Sequence, residues 1–548
     1  MSSTTSSFHQ PDYESGLLSR NRIIAAPGFN RWLVPPAALA IHLCIGMAYG
    51  FSVFWLPLSH ALGGSEPLAC PADAGPLSFL ISKDCDWLVS DLNWVFTLFI
   101  VFLGVSAAVW SGWVERVGPR KAGVTAAICW SGGLILGGFG ILLHQLWILW
   151  LGTGVLGGIG LGLGYISPVT TLIKWFPDRR GMAMGMAIMG FGGGAMIGAP
   201  MAEILMTHFS AAGGVGVWQT FLVMGVIYFV FMMGGAFGYR VPAPGWQPAG
   251  WVRPATNANM MITEGQVHFS NAHRTVAFWA IWVVLCTTVS AGIGVLSMAS
   301  PMLQEIFGGS LLGRPALEFT DLSGDQRVAV AAIAAGFAGV LSLSNIVGRF
   351  VWASLSDIIG RRATFLMFFQ LGIAMYALAP WAAHSGSTVL FVTFFCVILS
   401  IYGGAFATLP AYLADIFGTV FVGAIHGRLL TAWSTAGVIG PVLVSYMREA
   451  AIANGVPRPS VYDLTMYLLA GLLVIGFAAN FLVRPVASKW HMSEADVAVL
   501  EGPATPETVG SSYAGGISVA VILAWSAVGI PLFWGVLSTL VKVAVLFG

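Results

Sequence analysis

The sequence contains the stretch Ser111-Gly-Trp-Val-Glu-Arg-Val-Gly-Pro-Arg-Lys121 and, much later, a second copy of its pattern, Ala353-Ser-Leu-Ser-Asp-Ile-Ile-Gly-Arg-Arg362. In each copy a small residue is followed by an acid, a glycine and basic residues. The matched residues are Glu115 with Asp357, Gly118 with Gly360, and Arg120 with Arg362, which Arg361 precedes. Such a glycine suits a tight turn between helices. The acidic side chain can lie at the N-terminus of a neighbouring helix, where the helix dipole favours negative charge. The arginines can form ion pairs with acidic residues across a bundle. One copy would be an ordinary basic turn, but two copies indicate an internal repeat.

The composition predicts an all-α membrane protein surrounded by a lipid bilayer. Hydrophobic residues make up 57% of the 548 residues and charged residues only 9%, whereas a soluble domain carries about 25% charged residues. The mean hydropathy is +0.83. The net charge of +1 gives no electrostatic basis for a nucleic-acid partner. The first 31 residues lack the apolar core of a secretory signal.

Apolar windows of about 20 residues, the length that spans a bilayer, recur along the chain. They predict a cytoplasmic tail at 1–31, a six-helix bundle at 32–239, a cytoplasmic linker at 240–274 and a second six-helix bundle at 275–483. A further linker follows at 484–515, and a thirteenth transmembrane helix at 516–547. The two repeated loops fall between segments 2 and 3 and between segments 8 and 9, which are equivalent places in the two bundles.

Most lysines and arginines lie in the tail and loops that face one side of such a bundle. The positive-inside rule therefore places the N-terminus in the cytoplasm, with the protein in the inner (plasma) membrane. The C-terminus lies outside the cytoplasm if the thirteenth segment spans the membrane. Cys70 and Cys85 then lie in an oxidising compartment and are expected to form a disulfide, the alternative being two free thiols. No metal site, cofactor or enzyme motif is predicted.

Arg349 is the only lysine or arginine within the twelve main apolar segments. A cation at membrane depth costs about 2.5–3.5 kcal/mol on insertion scales unless it faces protein, water or an anion. The arginine therefore indicates an anion site inside a transport pathway. The alternative is a side chain that extends to the membrane surface. The fifth segment, Gly190–Pro200, has small residues four apart, which favour close helix packing, with a hinge at Pro200 as the alternative.

The paired loops and the six-plus-six layout resemble the major facilitator superfamily, whose two halves rock about a central site. Four further stretches narrow the resemblance to the oxalate/formate antiporter family, relatives of the monocarboxylate transporters, over about residues 30–490. These are Asn30-Arg-Trp32, Gly46-Met-Ala-Tyr-Gly-Phe-Ser-Val-Phe54, Lys174-Trp-Phe-Pro-Asp-Arg-Arg-Gly181 and Asp415-Ile-Phe-Gly418. The resemblance implies a secondary active transporter of small carboxylate anions that works by alternating access.

In the resembled antiporter, an arginine on helix 8 and a lysine on helix 11 hold a dicarboxylate inside an aromatic cage. The motifs place that arginine at Arg349 and the lysine at Trp433, so the second cation is replaced. The remaining candidate binding residues are Asn345, Tyr49, Tyr165, Tyr402 and Phe406, although each aromatic could instead serve packing. One guanidinium binds one carboxylate. We therefore expect a monocarboxylate such as formate, lactate, acetate or glycolate, with oxalate:formate exchange as the alternative.

The coupling mechanism stays open. Eukaryotic monocarboxylate transporters carry an acid at the position of Asn345, which cannot titrate. His42 is the candidate for proton coupling, although a lone histidine in an apolar helix is usually structural, and exchange against a counter-anion needs no such group. A carrier-fold receptor or sensor is the alternative from another class. Residues 516–547 resemble the separate one-helix small subunits of some such transporters, the alternative being a plain membrane anchor.

Overall fold

The computed structural model describes residues 16–26, 28–62, 68–70, 80–178, 180–210, 214–243, 246–248, 263, 265–418, 420–501 and 518–547. Thirteen helices within these ranges are long and apolar enough to cross a membrane. No β-strand occurs among the same residues, where only two isolated β-bridges form. Large parts of the predicted tail and linkers, at 1–15, 249–262 and 502–515, lie outside the described residues.

Six spanning helices form the N half. They are α1 (Arg31–Leu58), α2 (Val89–Val117), α3 (Pro119–Leu142), α4 (Leu146–Leu172), α5 (Arg180–Ser210) and α6 (Val217–Gly238). Within α1, the segment Gly46–Phe54 is a 3-10 helix. The helical conformation of α4 continues to Trp175.

Six more helices form the C half, and one follows. They are α7 (Val276–Ser297), α8 (Gly324–Ile359), α9 (Arg361–His384), α10 (Thr388–Phe417), α11 (Val422–Ala453), α12 (Asp463–Leu482) and α13 (Val519–Phe547). The predicted spans agree in number and order, but several helices are longer than their apolar windows. In α8 a capping box of Ser323 and Gln326 extends the helix at its start, because it satisfies backbone donors beyond the apolar stretch.

Both repeated loops turn at their glycine. Gly118 and Gly360 each have φ of 86°, a backbone conformation that favours glycine. Arg120 donates to the carbonyl of Phe237 at the end of α6 (3.3 Å), and Arg362 donates to the carbonyl of Phe481 at the end of α12 (3.1 Å). The two arginines thus neutralise equivalent helix C-termini rather than the acids that we expected them to meet.

Of the two acidic residues in the repeated loops, Asp357 is the one whose side-chain contacts are described. Asp357 is bound by Arg361, which also lies 3.7 Å from Asp415 at the end of α10. The side chain of Glu115 lies outside the described residues. On the same membrane face, Arg31 binds both carboxylate oxygens of Asp178 at 2.8 and 3.0 Å. We call this face, with Gly118 and Gly360, the loop face.

The opposite face carries the connection between α1 and α2, where Cys70 and Cys85 form a disulfide. The bond ties together the two described ends of this connection, 68–70 and 80–88. Between the two halves, α5 packs against α8 and α2 packs against α11. These two pairs of helices form the seams that enclose the centre of the molecule.

Candidate functional site

Arg349 lies on α8 at the seam with α5 and is 1% exposed. Its Nε donates to Oδ1 of Asn345 one turn earlier (3.0 Å), and Nδ2 of Asn345 donates to the carbonyl of Leu399 in α10 (3.3 Å). Nη1 of Arg349 is buried and has no hydrogen-bond partner in the described part of the chain. The asparagine therefore orients the guanidinium and leaves its Nη1 available to a further acceptor. A side chain in this position does not extend to the membrane surface.

The N half reaches this arginine through a glycine that the sequence analysis assigned only to packing. A Cβ on Gly192 of α5 would lie 2.6 Å from Oδ1 of Asn345 and 3.2 Å from Nε of Arg349. The carbonyl of Gly192 accepts a hydrogen bond from Ser342 of α8. The absence of a side chain at Gly192 is what allows the two halves to meet at Arg349.

Aromatic side chains from both halves surround this point. Oη of Tyr49 in α1 and Oη of Tyr402 in α10 are hydrogen-bonded at 2.7 Å, so this pair joins the two halves. The ring of Trp433 lies 5.4 Å from that of Tyr165 and 4.4 Å from that of Phe406. All five side chains are essentially fully buried. The structure thus brings together the aromatic residues that the motifs selected from α1, α4, α10 and α11.

A sixth aromatic residue was missed by the sequence analysis. The ring of Phe191 lies 4.9 Å from Tyr49, 5.6 Å from Tyr165 and 5.8 Å from Trp433, so it is the central contact of the cage. Its position immediately before Gly192 in a glycine-rich helix was the available signal. We call the six aromatic residues with Arg349 and Asn345 the central site.

Two neutral donors at the central site resemble Nη1 of Arg349 in lacking a partner. They are Oη of Tyr165 and Nε1 of Trp433, both buried and unpaired among the described residues. Tyr49 is hydrogen-bonded to Tyr402, and the rings of Tyr49 and Tyr165 both contact Phe191, which directly precedes the glycine that meets Arg349. A buried donor without an acceptor costs about 1–3 kcal/mol. The arrangement therefore suits a ligand that supplies acceptor oxygens and one negative charge.

The position expected to hold a second cation is occupied by Trp433, as the sequence indicated. Helix α11 is longer than its apolar window and includes two arginines outside that window, Arg428 and Arg448. Arg428 donates to the carbonyl of Phe269, and Arg448 is bound to Glu305. These two arginines are therefore engaged near the ends of α11, and neither belongs to the cage.

His42, the candidate for proton coupling, contacts the cage from behind. Its Nε2 lies 3.2 Å from the main-chain carbonyl of Tyr165, and its ring stacks on the ring of Tyr165 at 5.7 Å. The histidine is fully buried. It contacts the backbone and ring face of Tyr165, so its role in coupling stays a prediction.

The halves are closed together around the central site. On the side away from the loop face, Trp55 Nε1 of α1 donates to the carbonyl of Ser297 in α7 (2.8 Å), and Asn93 Nδ2 of α2 donates to the carbonyl of Pro441 in α11 (3.0 Å). Deeper in the same seam, Ser434 Oγ donates to the carbonyl of Val101 (2.9 Å). The buried residues of the central site are thus shielded by direct contacts between the halves.

An all-helical protein with thirteen candidate spans, two repeated halves and a buried arginine between them has the architecture of a membrane transporter. The chain belongs to the Major Facilitator Superfamily, whose family model matches residues 38–441. The fold and the multi-pass membrane class predicted from the sequence are confirmed.

Three of the similar proteins are named as carriers of organic anions. The oxalate:formate antiporter of Oxalobacter formigenes is 24% identical over 486 residues, which are 86% of this chain and 96% of that protein. Monocarboxylate transporter 11 of Homo sapiens is 24% identical, covering 83% of each chain. Apicoplast pyruvate carrier 1 of Toxoplasma gondii is 25% identical, covering 62% of this chain and 66% of that protein. The resemblance expected from the motifs is confirmed at this level.

Among solved structures, the fold is similar to the crystal structure of a bacterial homologue of the human lysosomal transporter Spinster, in an inward-facing and unoccupied conformation. The TM-score is 0.55 at 15% sequence identity, and the match covers 85% of this chain and all of that one. This likeness shows the fold alone.

Proposed function

We propose that the protein is a secondary active transporter that carries small monocarboxylate anions, such as formate, lactate, acetate or glycolate, across the bacterial inner membrane. The observation that carries this proposal is that Nη1 of Arg349, Oη of Tyr165 and Nε1 of Trp433, all buried donors of the central site, have no partner among the described residues. The names of the similar proteins, an oxalate:formate antiporter and a monocarboxylate transporter, support the substrate class.

A single carboxylate fits this set of donors. A guanidinium binds one carboxylate through two parallel hydrogen bonds, and Tyr165 and Trp433 can each donate one more. A second carboxylate in the same cage would lose its hydration without a fixed counter-charge, at a cost of several kcal/mol. The indole of Trp433 also adds apolar wall where a cation would be needed. These terms favour a monoanion over oxalate.

The same donors connect ligand binding to the movement of the halves. Arg349 and Trp433 belong to the C half and Tyr165 to the N half, so one bound anion contacts both. Binding would stabilise the closed arrangement relative to either open one, as a ligand shifts an equilibrium only by its differential affinity. Release on either side requires these bonds to break as the halves rock apart.

Two coupling modes fit this account. In exchange, a second anion returns the carrier, and no residue needs to titrate. In proton symport, His42 behind Tyr165 is the group that we propose to carry the proton. Uptake by His42→Gln over a range of pH distinguishes them: symport through His42 predicts loss of the pH dependence, and exchange predicts unchanged uptake.

The proposal is tested by uptake into proteoliposomes of labelled formate, lactate and oxalate, compared in one panel with and without internal anion. We expect saturable uptake of monocarboxylates that Arg349→Lys abolishes, because an ammonium cannot reproduce the guanidinium fork. Preferred uptake of oxalate would favour the oxalate:formate alternative. Wild-type rates in Arg349→Lys would overturn the assignment of the site.

A further inference from the structure

The thirteenth helix lies across the seam between the two halves. α13 packs against α1 and α5 of the N half and against α8 and α10 of the C half. Its outward face, which includes Leu523, Ile530 and Phe533, is exposed, as expected of a surface that meets lipid. The covered face is directed at the line along which α5 and α8 meet.

Among the described residues, the side-chain hydrogen bonds and ion pair that join α13 to other helices lead to the N half. Near the loop face, Trp525 Nε1 donates to the carbonyl of Trp32 in α1 (3.1 Å). At the other end, Lys542 Nζ is paired with Glu203 Oε2 in α5 (2.6 Å). These residues are about 25 Å apart at 1.5 Å per residue. Directional bonds at both ends therefore hold α13 to the N half across most of the membrane.

Between these ends α13 also lies close to the backbone of α5. A Cβ on Gly535 would lie 2.9 Å from the carbonyl oxygen of Met196 and 2.9 Å from Cγ1 of Ile197. Leu532 reaches the region of Gly193, because its Cδ1 lies 3.6 Å from where a Cβ of that glycine would be. Gly193 follows the glycine that contacts Arg349, so α13 supports this part of α5 from the lipid side.

One contact of α13 with the C half is made by close packing of a small side chain on a glycine. Thr539 is fully buried against Gly339 of α8, where a Cβ on the glycine would lie 3.1 Å from Cβ of Thr539. Thr539 Oγ1 makes no hydrogen bond in the part of the chain that the structure describes. Small residues permit close approach of helices in lipid. A contact made by packing alone can change register without breaking a polar bond.

We propose that α13 is a fixed part of the N half, covering the α5–α8 seam against lipid, and that the C half slides past it during transport. This inference rests on the proposed transport function for its movement. It gives the extra helix a mechanical role, since α13 covers the lipid side of the seam in which Gly192 and Gly193 of α5 meet α8. Joining α13 to α5 should then change nothing, while joining it to α8 should stop the cycle.

Two cysteine pairs test this distinction, in a background in which the free Cys44, Cys129, Cys286 and Cys396 are replaced. Gly339→Cys with Thr539→Cys links α13 to the C half, and their Cβ separation is close to the 3.5–4.5 Å or so of a disulfide. Ile197→Cys with Gly535→Cys is the link to the N half. Because a Cβ on Gly535 would lie 2.9 Å from the Met196 carbonyl oxygen, each oxidised pair is compared with its own reduced form, which separates the effect of the link from that of the substitutions. Peptide mass mapping after oxidation measures how much of each link has formed.

Two readouts follow oxidation. One is formate uptake, and the other is labelling by an impermeant maleimide of Asn93→Cys, a position buried in the closed α2–α11 seam. The link to α8 should lower both at least tenfold, with recovery on reduction, while the link to α5 should lower neither. Unchanged readouts with the α8 link, arrest by the α5 link, or failure of the α8 link to form would each overturn the proposal. If the protein carries no carboxylate, formate uptake is absent and the proposed function is wrong. The maleimide labelling still reports movement of the halves, so it tests the role of α13 separately.

A charge exchange tests the attachment without cross-linking. Lys542→Glu alone should lower uptake severalfold because it places two carboxylates together, and Glu203→Lys with Lys542→Glu should restore it. An undiminished rate in the single variant, or an equal loss in the double variant, would contradict the attachment of α13 to α5.

Discussion

Two buried arginines of the C half differ in how their charge is balanced. Arg448 of α11 is 4% exposed and Arg349 of α8 is 1% exposed. Arg448 donates to Glu305 through Nε (2.9 Å) and Nη2, and to Glu449 through Nη1 (2.7 Å). Arg349 donates through Nε to the neutral amide of Asn345 (3.0 Å), pairs with no carboxylate in the described part of the chain, and has no partner there for its Nη1. The protein itself neutralises Arg448, whereas under the proposed function the bound anion balances the charge of Arg349.

Glu305, the carboxylate that pairs with Arg448, has further partners that stabilise its negative charge. It also accepts hydrogen bonds from Arg458 (2.9 Å) and Tyr462 (2.6 Å). Burial alone would raise the pKa of the Glu305 carboxyl, but Arg448 and Arg458 hold that pKa below its ordinary value. The carboxylate therefore stays ionised, and the cluster needs no further partner. Burial alone does not distinguish a structural charge from a binding charge, whereas the number of satisfied bonds does.

The largest effect is expected when the balanced pair is broken. Arg448→Ala should destabilise the protein by about 3–5 kcal/mol, because Glu305 would remain as a buried charge that has lost its principal partner. Thermal unfolding in detergent measures this loss. Arg448→Met with Glu305→Gln should recover much of it, since both charges are then removed. A stable Arg448→Ala variant would mean that the two arginines do not differ as described.

The opposite pattern is expected of Arg349→Ala. Its unfolding temperature should stay near that of the wild type, because no carboxylate in the described part of the chain pairs with Arg349. Its uptake of formate should fall by roughly 30-fold or more, since loss of a buried charge partner costs at least about 2 kcal/mol of binding. Uptake and unfolding measured on the same preparation test both parts. An Arg349→Ala variant with a lowered unfolding temperature and undiminished formate uptake would contradict the difference between the two arginines.

A smaller effect separates two buried tyrosines in the same way. Tyr165→Phe removes a hydroxyl without a protein partner, so it should weaken substrate binding by about 1 kcal/mol, roughly fivefold, with little loss of stability. Tyr376→Phe is the matched control, because that hydroxyl donates to the carbonyl of Ala291 (2.7 Å). The control should lose stability and keep its affinity. Equal affinities in both variants would remove Tyr165 from the site.

The fold and the position of Arg349 could be predicted from the sequence for physical reasons. Membrane helices require long apolar runs, and a cation inside one stands out because of its cost. The length of α11 could not be predicted in this way, since an apolar window ends at Arg448, whereas the helix continues because Glu305 pairs with that arginine. The partner lies far away in sequence, where no local pattern reveals it.

The central site was predicted in part for a related reason. Tyr165, Tyr402 and Trp433 could be placed by counting from motifs, and the structure brings them together. Phe191 and Gly192 were missed, because a glycine-rich helix is typical of packing whether or not a binding residue lies opposite. Only the contact with Asn345 and Arg349 distinguishes Gly192 from its neighbours.

The central claim is that the site holds one fixed positive charge and so prefers one negative charge. Competition of formate and oxalate against labelled formate, at neutral pH where both are ionised, measures this preference in the wild type and in Trp433→Lys. We predict that formate competes better in the wild type and that Trp433→Lys shifts the preference towards oxalate, because the added ammonium supplies the missing counter-charge. Stronger competition by oxalate in the wild type would contradict the account.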